Sequence, residues 1–267
     1  MKKLFFLLAA AFLTSCSSTH STADAMKATD DAFSLKWKTP TLIATRTVNP
    51  ITIDGAMTEA EWSKAWSYEL KPCSNPEAYN PPKRAQFIKD TPYQEGQVKL
   101  LYDKDTLYVG VKVKDTDVVQ YAKKEQDHLY RTGDIIEIFL KSKKAPGHWE
   151  LYGAPNGLRT TMKQYGVGGY CNDILEEFRD EMKVGATVQG TLNNFKDTDD
   201  GYVIEFAIPF KMLEDVSGVK VNNSGEWTIL VSRYNYIVDK EKQYSTCPAN
   251  PKANYHLKEY YADLYLE

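Results

Sequence analysis

The sequence predicts an all-β chain: an antiparallel β-sandwich, jelly-roll or immunoglobulin-like, with a few short helices. Three observations predict it. Runs of β-branched and aromatic residues recur between turn-forming clusters such as Asp103-Lys104-Asp105, and no βαβ alternation links them. Leu107, Val109, Val111 and Val113 alternate with Tyr108, Gly110, Lys112 and Lys114, the period of a half-buried antiparallel strand. Tyrosine is in excess, with 18 Tyr against 10 Phe and 5 Trp, which suits strands and wet binding surfaces.

The opening residues give an address before any fold. Lys2 and Lys3 precede an apolar stretch, Leu4–Leu13, and then Thr14-Ser15-Cys16, so residues 1–15 read as a secretory signal too short to span a bilayer. Leu13-Thr14-Ser15-Cys16 looks like a bacterial lipobox, which makes Cys16 the lipidated first residue of the mature chain. Ser17 in place of Asp resembles signals for outer-membrane sorting. Removing the leader takes away two lysines, so the formal charge of −3 becomes −5. That balance excludes a basic nucleic-acid binder. With 42% hydrophobic and 26% charged residues the chain can bury a core, which excludes disorder throughout. Residues 16–40 are small and polar and read as a flexible tether, leaving one domain at 41–267. Export permits disulfides, but Cys73, Cys171 and Cys247 allow at most one bridge, with three pairings open. None of them has zinc-site spacing.

Within the domain, Thr58–Trp66 is expected as a helix opened by a capping box, Thr58-Glu59-Ala60-Glu61. Strands are expected at Gln97–Tyr102, Leu107–Lys114, Ile135–Leu140, Trp149–Gly153 and Arg159–Lys163. A helix is expected at Asp173–Met182, then strands at Ala186–Leu192, Tyr202–Ile208, Trp227–Tyr234 and Tyr261–Leu266. Phe210–Leu213, after the strand-ending Pro209, reads as one helical turn. The stretches Pro72–Glu95 and Asp239–Leu257 read as long loops, which are usually functional or mobile.

Four segments in order resemble the family 9 carbohydrate-binding module. They are Ile53-Asp54-Gly55 running to Trp62, Val98–Asp115, Gly133-Asp134-Ile135-Ile136-Glu137-Ile138-Phe139, and Asp200-Gly201-Tyr202 running to Pro209-Phe210. The resemblance covers about residues 50–267. Asp54-Gly55 is turn chemistry, Trp62 is expected in the core, and Glu205 is either an outward charge or a buried hydrogen-bonded acceptor.

A sugar offers an apolar C–H face and a ring of hydroxyls, so its partners are aromatic platforms flanked by carboxylate, amide or guanidinium groups. The resemblance implies two aromatic platforms and a nearby carboxylate. Glu137 matches the carboxylate and Tyr255 one platform. Arg131, after Tyr130, stands where the second platform is expected. Its guanidinium can stack and pair with carboxylates, which points toward acidic sugars, while a site that has lost its ligand fits the same departure. Further candidates are Trp149 and Glu150, Arg233 and Asn235 at the end of a strand, and His256 beside Tyr255.

The resulting expectation is a non-catalytic lipoprotein that captures poly- or oligosaccharide at the cell envelope, with glycoside hydrolases as partners. The alternatives are a glycoside hydrolase using a carboxylate pair such as Glu137 and Glu150, and a haem-binding relative with His148, His256 and Met162 as ligands. A structural lipoprotein whose sandwich has lost its ligand is a further alternative. No metal site or cofactor is legible, although sandwich loops often hold structural calcium. No G-x-S-x-G motif supports a serine hydrolase, and Gly166-Val167-Gly168-Gly169 lacks the lysine of a phosphate loop.

Overall fold

Two layers of strands share one strand, β1 (Thr41–Arg46). The computed structural model describes residues 39–73, 92–165, 172–237 and 242–267. The leader, Cys16, nearly all of the tether, Cys171 and most of the Pro72–Glu95 stretch lie outside the described residues. The first layer runs β10 (Lys183–Gln189), β11 (Gly201–Pro209), β5 (Thr106–Val113), β4 (Gly96–Tyr102), with β2 (Ser67–Glu69) also on β4. The second runs β14 (Ala262–Leu266), β12 (Trp227–Asn235), β6 (Ile135–Ser142), β7 (His148–Gly153), β8 (Arg159–Gln164), β9 (Asn172–Ile174). On this layer β13 (Gln243–Cys247) pairs with β12 and with β3 (Lys71–Pro72).

The sandwich is mixed, not strictly antiparallel. β1 (Thr41–Arg46) is parallel to β14 through Thr41–Ala44 and parallel to β4 through Thr45 and Arg46. A hairpin forces antiparallel pairing only on strands it joins directly, and β1 is joined to neither neighbour in that way. Between the layers, Leu100, Val109, Val111, Ile138, Leu151, Ile204, Phe206, Ile229 and Leu264 form the main core.

Strand β5 is covered on both faces, not half-buried as its period suggests. Its outer face is closed by α1 (Ala60–Lys64), where Trp62 packs with Ile51, Leu101, Tyr108 and Ala207. This helix begins later than expected and the Thr58–Glu61 capping box does not form. Glu59 is the N-cap without a side-chain cap bond, and its carboxylate instead accepts the Thr52 N–H at 2.8 Å. Glu205 is the buried acceptor: its carboxylate takes Trp62 Nε1–H at 3.0 Å and the backbone N–H groups of Asp54, Gly55 and Ala56 at 3.2, 2.6 and 3.2 Å. Gly55 sits at φ +80°, and a Cβ there would meet the Ala186 backbone at 2.4 Å, so the Asp54-Gly55 turn needs glycine for close approach as well as for conformation.

The helix expected at Asp173–Met182 is absent. That segment is β9, a 3₁₀ turn at Glu176–Phe178 and a second turn leading into β10. Tertiary pairing outweighs propensity there: the Leu175 N–H donates to Thr161 O, the Thr161 hydroxyl donates to Leu175 O, and the Phe178 ring meets Trp149 edge-on at 5.6 Å. The short turn expected after Pro209 is instead α2 (Phe210–Ser217), ended by Gly218 in the left-handed region. The Asp239–Leu257 loop contains β13, and β1, β2 and β3 are further strands without a sequence expectation. Cys73 and Cys247 are both free thiols.

Lys163 on β8 is buried, with its Nζ 5.3 Å from the Trp149 ring centroid. Burial pushes its ammonium down from 10.5 to about 8. Between those values the unfolded chain holds a proton that the folded chain has released, so stability rises with pH across that window. Lys163→Met is expected to raise the unfolding free energy at pH 7 by about 2 kcal/mol. In urea titrations the gain should shrink as pH climbs through the window and be gone above its upper end.

Candidate functional site

The second layer has another populated face, turned away from the main core. Strand alternation sends Ile136, Ile138 and Leu140 of β6 inward and Ile135, Glu137 and Phe139 outward. On β7, Trp149 and Leu151 point inward while His148, Glu150 and Tyr152 point outward. Met162 and Gln164 of β8 and Ser232 and Tyr234 of β12 complete the outer face, since Glu137 lies opposite Tyr152 and Ser232, and Glu150 opposite Phe139 and Met162. The segment after β13 folds across it and supplies Tyr255, His256 and Tyr261.

The result is a buried box of rings around two carboxylates. Phe139 meets Tyr255 at 6.0 Å and Tyr261 at 6.1 Å, Tyr234 meets Tyr255 at 5.6 Å, and Tyr130 meets Tyr152 at 6.1 Å and Tyr234 at 5.8 Å. Ser232 Oγ donates to Glu137 at 2.9 Å. Glu150 accepts from Gln164 Nε2 at 2.8 Å and from the Tyr152 hydroxyl. Burial, reinforced by the neighbouring Glu150 charge, holds the Glu137 carboxyl well above the usual carboxylate range. Burial likewise raises the Tyr152, Tyr234, Tyr255 and Tyr261 phenols. His148 Nε2 and His256 Nδ1 are 3.2 Å apart. Burial pushes His148 down to about 3 and lowers His256, so both imidazoles are neutral near pH 7.

The sequence candidates divide between two faces and a rim. Glu137, Glu150, Tyr130, Tyr255 and His256 come together on the outer face. Tyr255 is only 4% exposed there, its hydroxyl donating to Arg233 O at 3.4 Å, so the ring is packed rather than displayed as a platform. Arg131 is exposed at the rim, its guanidinium carbon 5.5 Å from the Tyr130 ring centroid. Beside it opens a recess of about 370 Å³ lined by Tyr121, Lys123, Asp127, His128 and Arg131.

Trp149, Arg233 and Asn235 face elsewhere, because each is one residue out of phase with the outer-face positions. Trp149 is sealed in the interlayer core. Arg233 is 1% exposed and pairs with Asp115 at 2.9 Å. It also donates to the carbonyls of Gln94 and Lys114 at 2.9 and 3.0 Å, and Asn235 Nδ2 donates to the Gln94 and Gln243 side-chain oxygens. Sequence reasoning did not single out Ser232, Tyr234 or Tyr261. Crossing the ladder from Glu137 reaches Ser232, and two residues further along β12 is Tyr234, whereas Tyr261 arrives through a loop that no period describes.

The two-layer mixed sandwich is the fold that family 9 carbohydrate-binding modules share with this chain. The chain belongs to the carbohydrate family 9 binding domain-like family, whose model matches residues 53–224. Its fold is similar to that of a Bacteroides uniformis protein proposed to bind carbohydrate, with a TM-score of 0.66 at 11% identity over 86% of this chain and 100% of that one. It is also similar to a family 9 module of Caldicellulosiruptor kristjanssonii in complex with cellotriose, with a TM-score of 0.55 at 15% identity over 85% and 93% of the two chains. A family 9 module of the same organism in complex with glucose gives 0.51 at 15% identity over 84% and 95%. No curated protein matches the sequence.

Proposed function

We propose that the protein captures poly- or oligosaccharide without cleaving it, as an exported lipoprotein held to the outer membrane through Cys16, and that it serves glycoside hydrolases at the envelope. The observation that carries the binding reading is the outer face itself. Glu137 and Glu150 are acceptors set in a wall of tyrosines, and sugar hydroxyls are donors while sugar C–H faces suit aromatic rings. Ligand enters at the rim, where Tyr130 and His256 are half-buried and Arg131 is exposed. Full engagement of Tyr255 requires the segment around it to lift. Arg131 adds a positive group that favours acidic sugars. The cellotriose and glucose complexes of a protein with this fold support the ligand class. The basic and apolar leader ending at Cys16 supports export and lipidation.

The test is a glycan panel, neutral and acidic, presented to the chain carrying Cys16→Ser so that it stays unlipidated. Retention of at least one glycan is expected. Glu137→Ala should weaken it by about tenfold or more, which corresponds to about 1.4 kcal/mol or more, and Arg131→Ala should weaken acidic glycans selectively. A folded protein that retains none of the panel would sink the proposal. Cleavage of a retained glycan would instead assign Glu137 and Glu150, on adjacent strands, as an acid–base pair.

A further inference from the structure

One end of the outer face carries a histidine pair beside Glu150, a carboxylate that the sugar reading also uses. His148 and His256 present ring nitrogens to one another, and with a Glu150 oxygen the three ligand atoms all lie within 4.8 Å of each other. We propose that His148, His256 and Glu150 form a binding site for a divalent transition-metal ion of the zinc class.

Three observations support the assignment. Zinc bound to two imidazoles at 2.0–2.1 Å in tetrahedral geometry sets its nitrogen ligands about 3.3–3.4 Å apart, and the observed separation is 3.2 Å. Two histidines and one carboxylate form a donor set that leaves a position for water or substrate oxygen. The surroundings also fit. Gln164 and Tyr152 both donate to Glu150, fixing its orientation as outer-shell partners do.

His148 lies directly opposite Gln164 across the β7–β8 ladder. His148 Nδ1 and Gln164 Oε1 are both buried without hydrogen-bond partners among the described residues. A metal on His148 Nε2 places the imidazole proton on Nδ1, the donor that such an acceptor lacks. Without metal, a proton shared between His148 Nε2 and His256 Nδ1 holds the pair together, and the ion replaces that proton. The charges of Lys141, Lys163 and Lys258 oppose that of a bound ion, while Glu150, itself a ligand, offsets it. The site is therefore tuned for moderate affinity.

The experiment titrates the unlipidated chain (Cys16→Ser) with Zn²⁺ alone, then Co²⁺ alone, with no glycan present. Expected are one ion bound per chain, the strong visible absorption of four-coordinate cobalt, and an upward shift in Tm with free metal. His256→Ala is the informative variant because His256 is only half-buried, and affinity should fall by about tenfold or more while circular dichroism stays unchanged. X-ray absorption at the zinc edge of the wild-type chain needs no variant and should show two imidazoles and oxygen ligands. No stoichiometric binding, unchanged affinity in His256→Ala, or sulfur ligands at the zinc edge would each overturn the site. Because no sugar is involved, that failure leaves the carbohydrate proposal standing.

Discussion

Asp115→Ala is expected to lower the unfolding free energy by about 3–5 kcal/mol. Asp115 lies two residues past the end of β5 in the first layer, and Arg233 is on β12 in the second, so their 2.9 Å ion pair ties the layers together at one mouth of the sandwich. Both side chains are almost fully enclosed. Arg233 gives two further N–H donors to the Gln94 and Lys114 carbonyls and lies 5.8 Å from the Tyr202 ring centroid. Truncating the carboxylate leaves a guanidinium that cannot shed its charge and has no route to water. A paired replacement, Asp115→Leu with Arg233→Met, should recover most of the loss, because it removes both desolvation costs together. Urea denaturation of the two variants decides the matter. Equal losses in the single and double variants would mean that packing, not the orphaned charge, dominates.

Glu205→Leu is the second large effect, with an expected loss of about 3–4 kcal/mol. Its carboxylate is the shared acceptor for Trp62 Nε1–H and for the turn at Asp54–Ala56, so leucine strands several donors under α1 at once. Glu205→Gln keeps one acceptor oxygen and should cost about half as much, and Trp62→Phe, which removes a single donor, about 1–2 kcal/mol. A leucine variant with wild-type stability in urea, its far-UV spectrum unaltered, would contradict this account.

Glu205 also marks what the sequence made legible. Its apolar neighbours admitted a buried acceptor or an outward charge, and only the arrival of the turn from Asp54, far off along the chain, decides between them. The alternating valines of β5 reported the inner face correctly, yet nothing local announced that α1 would cover the outer one. At the candidate site the same limit applies. Glu137 and Tyr255 were found through motifs, and Glu150 through its strand. Arg233 and Asn235 were placed at a strand end correctly, but a register count relative to Ser232 was needed to see that Arg233 faces the other side. The segment at Asp173–Met182 misled for a related reason. Its acidic run favours a helix locally, but Leu175 and Phe178 are claimed by the Thr161 ladder and the Trp149 ring.

The direction of β1 has a mechanical consequence. Since β1 and β14 are parallel and in register from Thr41 with Asp263 to Ala44 with Leu266, a pull between Pro40 and Glu267 drags them lengthwise past one another. All the hydrogen bonds between them are then loaded together and must fail together, whereas an antiparallel pair would open one rung at a time from its free end. Rupture under such a load is set by the unfolding rate rather than by equilibrium stability. Among the described residues, that arrangement makes the first and last strands of the domain its clasp.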